Sequence, residues 1–410
     1  MDRRRFLAAG AGGFLGFALR NGADPLWAAE RTTQSMIVLW MDGGPSQIDT
    51  FDPRPGRKTG GPVRAIETSA PGVRFSSLLP RTAQWAHRMS VLRTVVSPEN
   101  EHERGSYLLR TGFGSTGRIV HPALGSLIAF QKGGPSGIPP FVSIRTSGAV
   151  GRAGDAGFLG SEVAPFPVLD PARAHDLMKG LDGTVESRLD LVQSLNTEFS
   201  ADRAGEPIDR RKAFLSLCRK LTDSPFARAL DLRDEKPEAV QEYGGDRFGM
   251  GCLLARRLVE AGVRFVEVEL GGWDTHSDNY REVGSRCAIL DPAMSALYRD
   301  LDRRGLLEET AIVWMGEFGR TPDLNPQQGR DHWPDGFTVV LGGAGVGAGR
   351  VIGELDADGK EIRNDPVRVP DLMATLLTLM GIDPNKRHRT SSGAADKITD
   401  QGRPVRSALD

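Results

Sequence analysis

The sequence has 410 residues and a formal net charge of −1 at pH 7, because 52 Lys and Arg nearly balance 53 Asp and Glu. This balance disfavours binding to nucleic acid, which strongly basic proteins attract. Hydrophobic residues make up 39% and aromatic residues 7%, with 50 glycines and 26 prolines. Such a composition predicts an α/β globule with long loops and argues against a coiled coil or a disordered chain. The cysteines are far apart without a CxxC spacing and indicate neither a thiolate zinc site nor a disulfide framework, although one pair at most could bridge in an exported protein: Cys218, Cys252 and Cys287.

The first residues have the layout of a twin-arginine export signal. Arg3, Arg4 and Arg5 directly precede an apolar stretch of about 14 residues, from Phe6 to Leu19. This stretch is shorter than the roughly 20 residues that a membrane-spanning helix needs, so we expect no permanent membrane span. We therefore predict a cleaved signal peptide at residues 1–29, a periplasmic or otherwise exported protein, and the twin-arginine translocase as its partner during export. A basic amphipathic N-terminal helix is the alternative.

Strand and helix patterns alternate along the rest of the chain. From Ser35 the run SMIVLW is continuously apolar and ends at Asp42, as expected for a parallel strand buried on both faces. Similar patterns predict further strands at Met89–Val95, Phe141–Arg145, Val263–Leu270, Ala311–Met315 and Phe337–Leu341. Helical periodicity predicts helices at Val185–Leu195, Arg211–Leu221, Phe248–Ala261, Cys287–Leu301 and Pro370–Met380. The alternation predicts a βαβ architecture around one parallel sheet, in which residues 170–243 could form a helical insertion or a small cap.

Four segments place carboxylates or imidazoles just beyond a predicted strand or close to one: MDGGPS, GGWDTHSDN, GEFGR and GRDHW. Each segment alone has a structural alternative, since it could form a turn, a solvated loop or an ion pair. Together they supply a mixed oxygen and nitrogen donor set that suits zinc, manganese or a similar divalent ion. A guanidinium at Arg320 could add charge against a phosphoryl or sulfuryl group. The candidate metal ligands are Asp42, Asp274, His276, Glu317 and His332.

These motifs carry a family resemblance. The segments MDGGPSQIDTFDP, GGWDTHSDN and GEFGRTP followed by GRDHWP, on a chain with a twin-arginine leader, resemble the bacterial domain-of-unknown-function family 1501. That family is similar in fold to sulfatases and alkaline phosphatases, and the resemblance covers about Ser35 to Pro384. It implies a single alkaline-phosphatase-like domain over residues 30–410, with a central, mostly parallel sheet flanked by helices. It also implies a divalent metal, namely zinc, manganese or calcium, and hydrolysis of a phosphate or sulfate ester of a small molecule or glycan.

Two departures from the sulfatase pattern qualify that expectation. The stretch ENEHERGSYLLRTG has no cysteine that could become formylglycine, so we do not expect the ordinary sulfatase nucleophile. His102 stands in that stretch as a possible ligand, general acid or base, or phosphoryl acceptor, with Ser106 and Ser46 as outside candidates for a hydroxyl nucleophile. Phe318 replaces a metal-binding residue, so we expect one well-formed metal site rather than two. We predict His102 and Arg320 nearest the transferred group; the alternative is an inactive protein of this fold that binds carbohydrate or a protein partner.

Overall fold

The computed structural model describes residues 33–115, 119–145, 156–178, 224–389 and 395–410. The predicted signal peptide at residues 1–29 and the predicted helices Val185–Leu195 and Arg211–Leu221 lie outside these ranges. Of the predicted insertion at residues 170–243, only the two ends are described. The first end holds a 3-10 segment at Pro171–Met178, and the second holds two short helices at Pro225–Ala229 and Pro237–Glu242.

The predicted strands and helices inside the described ranges are all present, with ends that differ from the predictions by a few residues, except that one helix begins eight residues early. In chain order the strands are β1 Ser35–Asp42, β2 Ala65–Glu67, β3 Arg74–Ser76, β4 Met89–Val96, β5 Phe141–Arg145, β6 Phe166–Val168, β7 Phe265–Gly271, β8 Thr310–Met315, β9 Gly319–Arg320, β10 His332–Trp333, β11 Phe337–Gly343, β12 Arg350–Ile352, β13 Glu354–Leu355, β14 Ile362–Asn364, β15 Val367–Arg368, β16 Arg387–Arg389 and β17 Ala395–Lys397. The helices are α1 His102–Thr111, α2 Leu124–Lys132, α3 Pro225–Ala229, α4 Pro237–Glu242, α5 Arg247–Glu260, α6 Asn279–Arg303 and α7 Val369–Leu379.

A nine-stranded sheet forms the centre of the molecule, in the order β12-β4-β11-β8-β1-β7-β5-β6, with β15 also pairing with β4. Strands β8, β1, β7, β5 and β6 run parallel to one another, whereas β11 is antiparallel to both β4 and β8. Strand β4 therefore runs in the same direction as β8. As a result, the carboxyl ends of β1, β4, β7 and β8 and the start of β11 meet at one edge of the sheet, where ligand groups commonly lie.

The sheet is buried on both faces, which explains the continuous apolar run of β1. Ile37, Leu39 and Met41 pack into one hydrophobic cluster with α5 and α6, while the alternate residues of β1 pack into a second cluster with α1, α2 and α7. The predicted α/β class, with a central and mostly parallel sheet flanked by helices, is confirmed.

Two of the three cysteines, Cys252 and Cys287, lie within the described residues, and both are buried and free. A search of the described helices found none with the length and apolar character needed to cross a membrane.

Candidate functional site

The edge where the strand ends meet gathers most of the polar side chains that the motifs singled out. Asp274 and His276 follow β7, and Glu317 follows β8. His102 is the first residue of α1, six residues after β4 ends, and His332 lies in the short β10, just before β11 begins. Parallel strands thus bring together residues that are more than 200 positions apart in the sequence.

One carboxylate oxygen, Oδ1 of Asp274, is the centre of this group. The Nε2 atoms of three imidazoles surround it, at 3.0 Å for His276, 3.3 Å for His332 and 3.4 Å for His102. The guanidinium of Arg320 approaches the same oxygen with Nη2 at 2.5 Å. We call these five side chains the Asp274 cluster.

The other ring nitrogen of each imidazole is held by a group that can only accept a hydrogen bond. The Nδ1 atom of His102 lies 2.7 Å from Glu317 Oε1, that of His276 lies 2.8 Å from Asp331 Oδ1, and that of His332 lies 2.7 Å from the Asn100 carbonyl. With both carboxylates ionised, each Nδ1 must therefore be the donor, which leaves the Nε2 lone pair of the neutral ring directed at Asp274. Three lone pairs facing one carboxylate oxygen repel it unless a positive charge lies between them.

The titration behaviour of the cluster reflects that need for positive charge. Hydrogen bonds to Asp274 and to Glu317 raise the pKa of His102 to about 10, against the opposing effect of burial. Burial alone would raise the pKa of the Asp274 carboxyl, but its contacts with His102, His332 and Arg320 hold that pKa well below its usual range. In the absence of a metal ion, the Arg320 guanidinium and a proton on His102 thus supply the positive charge.

The spacing of some of these atoms suits a divalent metal ion. Within the described residues, one group of three or more His, Cys, Asp or Glu side chains has ligand atoms all within 4.8 Å of one another, and it comprises His102, Asp274 and His332. His276 is not a member of this group, although its Nε2 is 3.0 Å from both Asp274 Oδ1 and His332 Nε2. With metal–ligand bonds of about 2.0–2.1 Å, tetrahedral ligands lie about 3.3 Å apart, close to the separations around Asp274 Oδ1.

Glu317 lies beneath the cluster and is completely buried. Its Oε1 accepts hydrogen bonds from the Gly43 amide at 2.9 Å and from His102, whereas its buried Oε2 has no hydrogen-bond partner among the described residues. Gly43 has φ of +112°, and a Cβ at that position would lie 2.5 Å from the Asp274 nitrogen. Only glycine therefore lets the loop after β1 pass this close to Asp274 and donate to Glu317.

Arg320 is not exposed to solvent, and its donors are already engaged. The side chain donates to the carbonyls of Gly43, Gly44 and Arg330 as well as to Asp274. Burial lowers the pKa of the guanidinium from its ordinary value. The contacts of Arg320 thus orient Asp274 and join the segment of Gly43 and Gly44 to that of Arg330, and the side chain has no surface exposed to a substrate.

Asp42 and the two candidate serines are not among the side chains that surround Asp274 Oδ1 in the described residues. The Asp42 carboxylate accepts from the Trp40 indole at 3.4 Å, and Asp42 is not part of the metal-type group among the described residues. Ser46 is buried and donates to Asp49 at 2.6 Å. Ser106 lies within α1, one turn after His102. The edge therefore unites Asp274, His276, His332 and His102, with Glu317 bound to His102.

Sequence reasoning missed the residues that hold His276 in place. Asp331 directly precedes His332. Its carboxylate accepts hydrogen bonds from His276 Nδ1 and, at 3.0 Å, from the Asn325 amide. The Asn325 amide also donates to the His276 carbonyl at 2.9 Å. The dipeptide Asp331-His332 was a visible signal, because a carboxylate commonly orients a ligating imidazole. Asn325 had no such signal, since its contacts come from loop packing alone.

Comparisons with known proteins show distant similarity to several solved structures. Lipoteichoic acid synthase LtaP from Listeria monocytogenes shares 9% identity, with 88% of this chain and 74% of that one covered and a TM-score of 0.40. A protein in the alkaline phosphatase superfamily from Vibrio parahaemolyticus shares 12% identity, with 92% and 71% covered and a TM-score of 0.43. A sulfatase from Pseudoalteromonas sp. shares 14% identity, with 93% and 72% covered and a TM-score of 0.39.

A search of curated protein sequences finds no match to this chain. A family profile does match, over residues 33–409, and it includes all the motifs on which the resemblance rested. The chain belongs to the family described as protein of unknown function DUF1501, as those motifs predicted.

Proposed function

We propose that this chain is a metal-dependent hydrolase of phosphate or sulfate esters, with a divalent cation held by Asp274, His102, His276 and His332. The single observation that carries the proposal is the convergence of three Nε2 atoms on Asp274 Oδ1 at 3.0–3.4 Å. Each ring is oriented by an acceptor at Nδ1, which is the arrangement expected around a metal-ligating histidine.

The donor set favours zinc among the three metals considered. Three imidazole nitrogens and one carboxylate oxygen match the nitrogen and oxygen ligands of zinc. Calcium takes six to eight oxygen ligands, and imidazole is a poor substitute for them. Manganese prefers carboxylate, carbonyl and water oxygens, so it fits this set less well than zinc does.

The surrounding residues of this chain hold the cluster ready and leave it open to a substrate. Glu317 and Asp331 keep the Nδ1 protons of His102 and His276 in place, and Arg320 orients Asp274. The side chains of Asp274 and His276 are 46% and 44% exposed, so an ester in solution can reach them. A divalent cation bound here would lower the pKa of water and neutralise charge on the ester oxygens.

Metal content of purified protein tests the first half of the proposal. We expect about one zinc per chain in the wild type and none in a His276→Ala, His332→Ala double variant, because two of the four donors are gone. His87→Ala is the matched control, since His87 is an exposed histidine bonded to Ser69 and lies outside the Asp274 cluster. A double variant that keeps stoichiometric zinc would contradict the site.

Turnover of simple esters tests the second half. The zinc-loaded wild type should hydrolyse at least one ester from a panel of p-nitrophenyl phosphate, p-nitrophenyl sulfate and a phosphodiester analogue. The double variant should lose this activity, and His87→Ala should keep it. Stoichiometric zinc without turnover of any ester would instead support the alternative, a binding protein that has lost the nucleophile.

We also propose that the chain is exported through the twin-arginine pathway, on the basis of Arg3, Arg4 and Arg5 and the short apolar stretch after them. A fusion of the first 40 residues to a reporter that folds in the cytoplasm should reach the periplasm. Replacing the three arginines by lysine should keep the reporter inside the cell, and export that persists in that variant would contradict the pathway.

A further inference from the structure

A second, fully buried group lies behind the Asp274 cluster and is centred on Asp49. Its carboxylate Oδ2 accepts from Ser46 Oγ at 2.6 Å, from Asn279 Nδ2 at 2.8 Å and from Arg330 Nε at 2.8 Å. The side chains of Asp49, Asn279 and Arg330 have no exposed surface. Arg330 also donates to the carbonyls of Thr59, Thr321 and Pro322. None of these side chains is one of the proposed metal ligands.

The Asp49 group reaches both segments that carry those ligands. Asn279, which Asp49 holds, accepts from Thr275 Oγ1 at 2.8 Å, and Thr275 stands between Asp274 and His276. The backbone nitrogen of Arg330 donates to the Thr275 carbonyl at 2.9 Å. Two residues after Arg330 the chain reaches His332.

Backbone contacts complete the connection between the two segments. Asp278 and Asn279 donate from their amides to the carbonyls of Gln327 and Gln328 at 3.2 and 2.9 Å. A Cβ at Gly329 would lie 1.9 Å from the His276 carbonyl carbon, so glycine is required where the two loops touch. Movement of Arg330 would therefore shift the Asp274-Thr275-His276 segment and His332 together.

We infer that Asp49 and Arg330 are positioning residues for the proposed metal site. The inference rests on the proposed function. Their ion pair, deep in the protein, fixes the distance between the segment of Asp274 and His276 and the segment of His332. A metal site needs its donors fixed to within a fraction of an ångström, and outer contacts that orient ligands typically change metal affinity about 10–100-fold when removed.

Zinc affinity in folded protein is the experiment that tests this role. Asp49→Asn removes the charge on which Arg330 depends, and we expect the zinc dissociation constant, measured by competition with a chromophoric chelator, to rise about 10–100-fold. The visible absorption spectrum of the Co²⁺-loaded protein should change as well, because it reports ligand geometry. A loss of stability alone would alter neither quantity in protein that remains folded.

Asp52→Asn is the matched control. Asp52 lies in the same loop, is equally buried and pairs with Arg54 at 2.5 Å and Arg93 at 3.1 Å, which are not part of the ligand segments. We expect this variant to lose stability but to keep wild-type zinc affinity and the wild-type Co²⁺ spectrum. An equal loss of zinc affinity in both variants would overturn the inference, because it would reflect general damage to the loop.

The remaining outcomes separate this inference from the proposed function. A wild type that binds no zinc removes the metal site and the inference with it. A wild type and a folded Asp49→Asn that bind zinc equally overturn the inference alone. If Asp49→Asn does not fold, Asn279→Ala removes the amide between Asp49 and Thr275 while the buried charges of Asp49 and Arg330 stay paired. Unchanged zinc affinity in that variant overturns the inference.

Discussion

Two clusters of charged side chains in this molecule have opposite charge arrangements. In the Asp274 cluster, one carboxylate oxygen is surrounded by three imidazoles and a guanidinium. In a second cluster between α5, α6 and the segment before α4, one guanidinium is surrounded by carboxylates. Arg256 there lies 2.6 Å from Glu235, 2.8 Å from Glu260 and 2.9 Å from Asp300. We call this the Arg256 cluster.

The difference shows how a structural charge cluster differs from a ligand site. Each guanidinium nitrogen of Arg256 lies within 2.9 Å of a carboxylate oxygen, so opposite charges meet directly and no further cation is needed. In the Asp274 cluster, three imidazole lone pairs face the same oxygen, and the arrangement is complete only with a proton or a metal ion. The two clusters also differ in solvent exposure. The Arg256 side chain is 2% exposed, whereas that of Asp274 is 46% exposed.

The largest expected effect on stability comes from breaking the Arg256 cluster. Arg256→Met leaves several carboxylates without their buried partner, so we expect the free energy of unfolding to fall by about 3–5 kcal/mol. Chemical denaturation measures this change. Arg233→Met, which removes an exposed arginine paired with Asp231, serves as the control and should leave stability unchanged. A small effect of Arg256→Met would show that the cluster does not stabilise the fold.

Zinc bound at the Asp274 cluster should stabilise the protein by somewhat less than Arg256→Met destabilises it. At a free concentration about 100 times the dissociation constant, bound zinc should raise the free energy of unfolding by about 2.7 kcal/mol. Denaturation in zinc and in chelator measures the difference. The His276→Ala, His332→Ala variant should show no zinc-dependent change, and an equal gain in that variant would place the bound zinc elsewhere.

Acid should weaken the Arg256 cluster through Glu235. Burial raises the pKa of this carboxyl, but hydrogen bonds from Arg257 and Arg256 outweigh burial and hold the folded pKa below its ordinary value. The stability that Glu235 contributes is thus present above the unfolded pKa of about 4.3 and is lost as pH falls through the folded pKa. Between pH 6 and pH 3, the free energy of unfolding, measured by denaturation, should fall less steeply for Glu235→Gln than for the wild type. Equal slopes would contradict this role.

The smallest effect is expected for a single ligand substitution in metal-free protein. The His276 ring is 44% exposed, and its removal leaves no buried charge unpaired. We expect His276→Ala, measured by denaturation in chelator, to change the free energy of unfolding by about 0.5 kcal/mol or less. A loss of several kcal/mol would mean that His276 stabilises the fold as Arg256 does.

Much of the fold was predictable, because long apolar runs leave few choices in a buried sheet. The sequence predicted β1, β4, β5, β7, β8 and β11 and the helices Phe248–Ala261, Cys287–Leu301 and Pro370–Met380, which the structure contains as α5, part of α6 and α7. The antiparallel direction of β11 was not predicted, since strand direction depends on pairing with β4 and β8 rather than on the pattern within the strand.

The candidate site was predictable in its membership more than in its arrangement. Asp274, His276 and His332 meet because their segments end at the same sheet edge, which the strand patterns implied. Asp42, placed in the same donor set, accepts from the Trp40 indole, and Arg320, predicted beside the transferred group, is buried and donates to backbone carbonyls. Side-chain direction at a strand end depends on the loops packed around it, and the segments alone do not encode it.

By itself the sequence determined the class of fold, the family and the donor types at one edge of the sheet, because periodicity, composition and motif spacing are local properties. Only the tertiary structure decided that three imidazoles share one carboxylate oxygen, that each has its Nδ1 anchored, and that Asp49 pairs with Arg330 across 281 residues. Those contacts depend on how distant loops pack together, since a hydrogen bond forms only where donor and acceptor meet at about 3 Å in the folded chain.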